Sequence, residues 1–157
     1  VIINGTIYWK SIDGAITALR AQSIPDLGAS TLSASPLALR LGISTTVTFT
    51  LRNGGGPLTG KAVLTFTLPS ELEYVPGSAY STITGTFTPT GNRVIWIGLP
   101  GAASEVNIRL GANVETSDPG GVDVNAQLDA GLVGVLTRSV TLVLNGQSVY
   151  LPLILRQ

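Results

Sequence analysis

The chain has no cysteine, no histidine and no methionine among its 157 residues. Without cysteine there is no disulfide, no thiolate nucleophile and no soft metal ligand, while the redox compartment stays open, because exported bacterial chains also avoid cysteine. Without histidine the commonest general base and a leading metal ligand are gone. Without methionine Val1 is not a translation start, so the expectation is a processed chain, consistent with a removed signal peptide, or an excerpt of a longer one.

Charge is also scarce. Charged residues make up 11% of the chain, against roughly 25% in an average soluble domain. Nine basic and nine acidic residues cancel, with no run of like charge, so neither nucleic acid nor an anionic membrane surface is expected as a partner. No apolar stretch reaches the roughly 18 to 20 residues that span a bilayer, and membrane insertion is not expected. Zero net charge weakens repulsion between copies, and a mean hydropathy of +0.40 is high for a free monomer. Either the core is large or apolar surface is buried against another copy.

What is present is period-two alternation, the signature of half-buried strands. In Thr46 to Leu51 the residues Val47, Phe49 and Leu51 share one face and three threonines the other. Ala62, Leu64, Phe66 and Leu68 form a second stripe, after the glycine-rich turn Asn53 to Pro57, and the two segments read as a hairpin-like pair. The cleanest stripe is Val106, Ile108, Leu110, Ala112 and Val114. After Asp118-Pro119-Gly120-Gly121 comes Val122, Val124, Ala126 and Leu128, which reads as a second antiparallel hairpin. Weaker candidates lie at 78 to 88, 92 to 97 and 134 to 144. Seven or more short strands punctuated by turns argue for an antiparallel β-sandwich, its wet faces lined by Thr, Ser, Asn and Gly.

Residues from about Ala29 to Asn145 resemble the Ig-like conserved repeat of bacterial surface proteins, the family catalogued as domain of unknown function eleven. The resemblance is carried by Ser35-Pro36, by VTFTLRNGG (Val47 to Gly55), by TLPSELEYVPGS (Thr67 to Ser78), the most specific phrase, and by NRVIW ending in Trp96, followed by Leu99 and Gly101. One departure is Phe66-Thr67 ahead of Leu68-Pro69, where the family commonly has an aspartate. The resemblance implies an immunoglobulin-like sandwich with Trp96 in its core, no shared catalytic residues, and a place at the bacterial cell surface. Near the other end, YLPLILR (Tyr150 to Arg156) is similar to tails of secreted proteins from filamentous phototrophic and related Chloroflexota bacteria.

The expected organisation is therefore an Ig-like β-sandwich over 29–145 with extra N- and C-terminal strands. Residues 1–24 read as a partial repeat or strand-exchange segment, since Asn4 to Gly14 parallels Asn92 to Gly101 around a tryptophan. Residues 147–157 read as an apolar C-terminal strand. It is apolar on both faces, and Pro152 places it at a sheet edge or with the proline pointing away from its partner strand. Two readings of it stay open: a closing edge strand of the same sandwich, or a donor strand that completes a neighbour's sheet. The candidate subunit-interface residues are Val1, Ile3, Ile7, Trp9, Val149, Tyr150, Leu151, Leu153 and Leu155.

Chemistry finds little support. No serine has a histidine to activate it, and only Lys10 and Lys61 could serve a Ser-Lys pair or an isopeptide bond to asparagine. Glu71 and Glu73 read as an exposed pair after Pro69. Asp118, Asp123 and Asp129 could offer oxygens to calcium but lack the dense spacing of a calcium loop. Tyr8, Trp9, Tyr74, Tyr80, Trp96 and Tyr150 could build an aromatic platform for sugars, with Trp96 assigned to the core instead. No catalytic residue, metal or cofactor is expected. The expected function is that of a non-enzymatic, secreted bacterial structural subunit, forming an extracellular filament, sheath or surface layer by strand exchange with other copies of itself. The alternative is an adhesive or carbohydrate-binding module of a larger surface protein, with a cell-surface glycan as partner.

Overall fold

The computed structural model of the chain describes residues 2–3, 6–20 and 24–146. Near the N-terminus β1 (Ile2–Ile3), β2 (Thr6–Lys10) and β3 (Ile16–Arg20) form a small antiparallel sheet of their own. Its turn is fixed by Asp13, whose carboxylate accepts the amide of Ala15 at 3.1 Å, and by Gly14 at φ 84°, a conformation glycine adopts without penalty.

The sandwich begins with β4 (Thr31–Ser35) and β5 (Ala38–Leu39), followed by β6 (Ser44–Asn53), β7 (Ala62–Thr67), β8 (Leu72–Tyr74), β9 (Tyr80–Ser81), β10 (Gly85–Thr90) and β11 (Arg93–Gly98). The long strands β12 (Ser104–Val114), β13 (Gly120–Asp129) and β14 (Val135–Leu144) complete it. One sheet has the order β4-β6-β12-β8, with β9 also on β12, and the other β10-β11-β7-β13-β14-β5. These are the two layers of an immunoglobulin-like sandwich, with the β10–β11 hairpin widening the second. The chain changes sheet at Pro36, between β4 and β5, where the Thr45 hydroxyl donates to the Pro36 carbonyl at 2.8 Å.

The stripes read from the sequence are the core. Val47, Phe49, Leu51, Leu64, Phe66, Val106, Ile108, Leu110 and Ala112 have no accessible surface, and Trp96 lies among them, equally buried. Burying each large apolar side chain stabilises the fold by roughly 1.5–3 kcal/mol.

Two expected hairpins are not hairpins. The strands β6 and β7 lie in opposite sheets, β6 between β4 and β12, β7 between β11 and β13, and β12 and β13 are likewise divided. The physical reason lies in the connections. Residues 54–61 are too long for a tight two-to-five-residue hairpin loop and arch across the end of the sandwich, tied down at Asn53. Residues 115–119 cross at the opposite end, where Asn145 holds the Thr116 carbonyl at 2.8 Å. Alternation records which face of a strand is buried and is silent about which sheet it joins.

Candidate functional site

No catalytic centre assembles among the described residues. Among the described residues no group of three or more Asp or Glu side chains converges to hold a metal ion. Asp123 and Asp129 stand six positions apart on β13, about 20 Å at strand spacing. Both are engaged locally, Asp123 accepting from the Thr141 hydroxyl at 2.6 Å and Asp129 from the Gly131 amide at 2.9 Å. Asp118 is an exposed turn residue whose amide donates to Thr116 Oγ1 at 3.1 Å. Glu73 is exposed, and Glu71, half-buried, accepts from its neighbour Ser70 at 3.1 Å. Lys10 and Lys61 are both exposed. In Asp13 the hydrogen bond from the Ala15 amide, helped by Ser11, holds the carboxyl below its ordinary range.

Among the aromatic side chains described, Tyr74, Tyr80 and Trp96 do not form one platform, and Tyr150 lies outside the described residues. Trp96 belongs to the core, and Tyr74 packs half-buried against that core from β8. Tyr80 is half exposed on β9 with the Arg109 guanidinium 4.7 Å from its ring centroid, a cation–π contact. Tyr8 and Trp9 are on β2, paired with Ala18 and Thr17.

Of the expected interface residues, Ile3 pairs with Thr6, Ile7 with Ile2, and Trp9 with Thr17, all within the N-terminal sheet. Val1, Val149, Tyr150, Leu151, Leu153 and Leu155 lie outside the described residues, as does the whole of 147–157.

The sheet edges are where a chain built of strands meets a partner, because an edge carries unpaired N–H and C=O groups. On β10 the closing pair Thr90–Arg93 flanks a two-residue turn, so the backbone groups of Gly85, Phe87 and Pro89 face outward. Pro89 has no N–H to offer, which blunts this edge. On the other side of the same sheet, among the described residues, β14 is covered only at its C-terminal end. There β5 runs parallel to it, with the Val143 amide donating to Leu37 O at 2.9 Å and the Asn145 amide to Leu39 O at 2.7 Å.

Two asparagine knots were not foreseen. Asn53, 2% exposed, accepts from the amides of Asp26 and Gly55, both at 3.1 Å, and donates to the carbonyls of Gly56 at 2.8 Å and Gly101 at 3.0 Å. All its hydrogen-bonding capacity is used, and three loops are joined at the pole where the chain enters the sandwich. Asn145, at φ 49°, accepts from the Leu41 amide at 2.9 Å and donates to the carbonyls of Thr116 at 2.8 Å and Asp118 at 3.0 Å, at the pole where the chain leaves. The available signal was an Asn-Gly step directly after a strand stripe, twice.

No protein-family model matches the sequence, and no curated protein matches it. Solved structures match in fold. The non-cellulosomal cohesin from Archaeoglobus fulgidus superposes with a TM-score of 0.52 at 13% identity, over 73% of this chain and 90% of the cohesin. ACE19, the collagen binding subdomain of Enterococcus faecalis surface protein ACE, gives 0.50 at 7% identity, over 73% of this chain and 96% of its own. The collagen adhesin of S. aureus gives 0.50 at 9% identity over 82% of this chain, which spans about half, 53%, of the adhesin chain. At such identities the likeness establishes the immunoglobulin-like sandwich.

Proposed function

We propose that the chain is a non-enzymatic structural subunit of a bacterial extracellular assembly, a filament, sheath or surface layer, held together by strand exchange between copies and related to the Ig-like surface repeats its sequence resembles. One observation carries the reading. Among the described residues the two sheets of the sandwich are built from β4 to β14, and β1 to β3 pair only with one another, while the sequence carries two strand-forming apolar segments outside the sandwich, Val1 to Trp9 and Val149 to Leu155. Apolar strands in excess of a filled core need a partner, and zero net charge does not oppose contact between copies. The lack of histidine and cysteine, and carboxylates committed to turns and strand faces, support a role without catalysis.

A second reading is an adhesive module of a larger surface protein. The exposed Tyr80–Arg109 pair supports it, as does the fold shared with a subdomain that binds collagen. The two readings part in solution. The intact chain, a chain lacking 1–24 and a chain lacking 147–157 are compared by sedimentation and electron microscopy. Polymers from the intact chain and monomers from the truncated ones are expected; three identical monomers would favour the adhesive module.

A further inference from the structure

Resting on the strand-exchange reading, we propose that the open edge of β14 is the acceptor site and that residues 149–155 of a second copy add to it parallel to β14, joining like-oriented subunits head to tail. The edge is defined by hydrogen bonds. The amides of Val143 and Asn145 donate to β5, and β14 pairs with β13 one residue to one from Val135 to Leu144 without a bulge. Period two then puts the backbone groups of Val135, Thr137, Ser139 and Thr141 on that same edge. None of these has a strand partner on that side among the described residues. The inward side chains beside it are incompletely covered: Leu136 and Val140 on β14, and Leu32 and Ala34 on β4, are only partly buried. At the N-terminal end of the edge a shallow cleft opens between Pro25, Leu27, Val135 and Leu136.

A single side chain crosses this edge among the described residues. Arg138 donates from Nε to Ser30 O and from Nη2 to Gly28 O, both at 2.8 Å, and from Nη1 to Thr137 O at 3.0 Å. An inward charge guards an edge, but an arginine rotates away, whereas Pro89 on β10 is a permanent block. An incoming strand takes over the Thr137 carbonyl as the guanidinium leaves.

The direction follows from β5 as template and from Pro152. In the parallel β5–β14 pair, Leu39 points its carbonyl at β14 and its side chain into the core, while Ala38, opposite Val143, faces outward. A donor laid the same way with Val149, Leu151, Leu153 and Leu155 in Leu39-like positions buries four aliphatic side chains. Pro152 then takes an Ala38-like position, where its missing N–H faces away from β14. Antiparallel addition with Pro152 turned away would leave those four side chains outside.

The chain's own tail cannot do this. A parallel return needs a crossover of about a dozen residues, and only Gln147 and Ser148 separate Gly146 from Val149. A hairpin return is blocked because β5 already holds the edge at Val143 and Asn145. Because residues 149–155 follow closely on β14 in sequence, their parallel entry beside β14 of the next copy is what makes the proposed contact head to tail between like-oriented copies.

The test uses the absence of native cysteine. Intact chains carrying Val135→Cys, Thr137→Cys, Ser139→Cys or Thr141→Cys are each mixed with intact chains carrying Tyr150→Cys or Ile154→Cys and oxidised during assembly. Disulfides need Cα atoms within about 7 Å, and four positions along a strand are about 13 Å, so position and direction are both read out. The expected result is that the β14 site capturing the Ile154→Cys chain lies four positions C-terminal to the one capturing the Tyr150→Cys chain. The reverse order, or assembly with no cross-link to β14, overturns this proposal and leaves strand exchange standing. Chains that stay monomeric overturn the strand-exchange reading itself.

Discussion

The indole of Trp96 lies over the bare backbone of Gly85, so closely that a Cβ on Gly85 would fall 2.1 Å from Nε1. Gly98, the cross-strand partner of Gly85, is covered in the same way, its Cβ position lying 2.1 Å from Cζ2 of the ring. A bulky buried ring cannot step aside as a surface side chain would. Gly85→Ala and Gly98→Ala are each expected to cost about 1–3 kcal/mol by overpacking, measured by denaturant unfolding. Gly60→Ala, where a Cβ meets open space, is expected to stay within about 0.5 kcal/mol of the parent.

Asn53→Ala strips partners from two amides and two carbonyls around a buried position. Each unpaired buried group costs about 1–3 kcal/mol where water cannot replace the partner, so a loss of roughly 2–4 kcal/mol is expected. Hydrogen exchange should show faster exchange at Asp26 and Gly55, while the β13–β14 ladder remains protected until global unfolding.

At the other pole Asn145 combines three hydrogen bonds with a left-handed backbone. Asn145→Gly loses the bonds but keeps the backbone at ease, whereas Asn145→Ala loses both. The expected order of thermal stability is parent, then glycine, then alanine, with about 1 kcal/mol between the two variants.

These two asparagines mark where the sequence stops being legible. Alternation identified the core stripes of β6, β7, β12 and β13 because burial on one face writes itself as period two. It could not assign β6 and β7 to different sheets, because sheet membership is decided by loop paths and by side chains such as Asn53 that meet residues far away in the chain. The edge on β14 was equally hidden: Val135 to Leu142 reads like any paired strand, and the brief contact with β5 is what marks its outer side as unpaired among the described residues.

With no histidine and no cysteine, no side chain with an ordinary pKa between about 5 and 8 is present. Thermal stability is expected to be flat across that range. Asp13 is held below its usual pKa in the folded turn, so its stabilising effect is present above the unfolded value and fades as pH falls through the lower folded one. Loosening of the Ser11–Ala15 turn is therefore expected only below about pH 4, seen as faster exchange of the Ala15 amide.

The proposed joining of copies by apolar terminal strands stands or falls on sedimentation velocity of the intact chain beside an intact-length variant carrying Leu151→Asp and Leu153→Asp. Concentration-dependent polymers are expected from the first and monomers with unchanged thermal stability from the second. Monomers from both, or equal polymers from both, would contradict it.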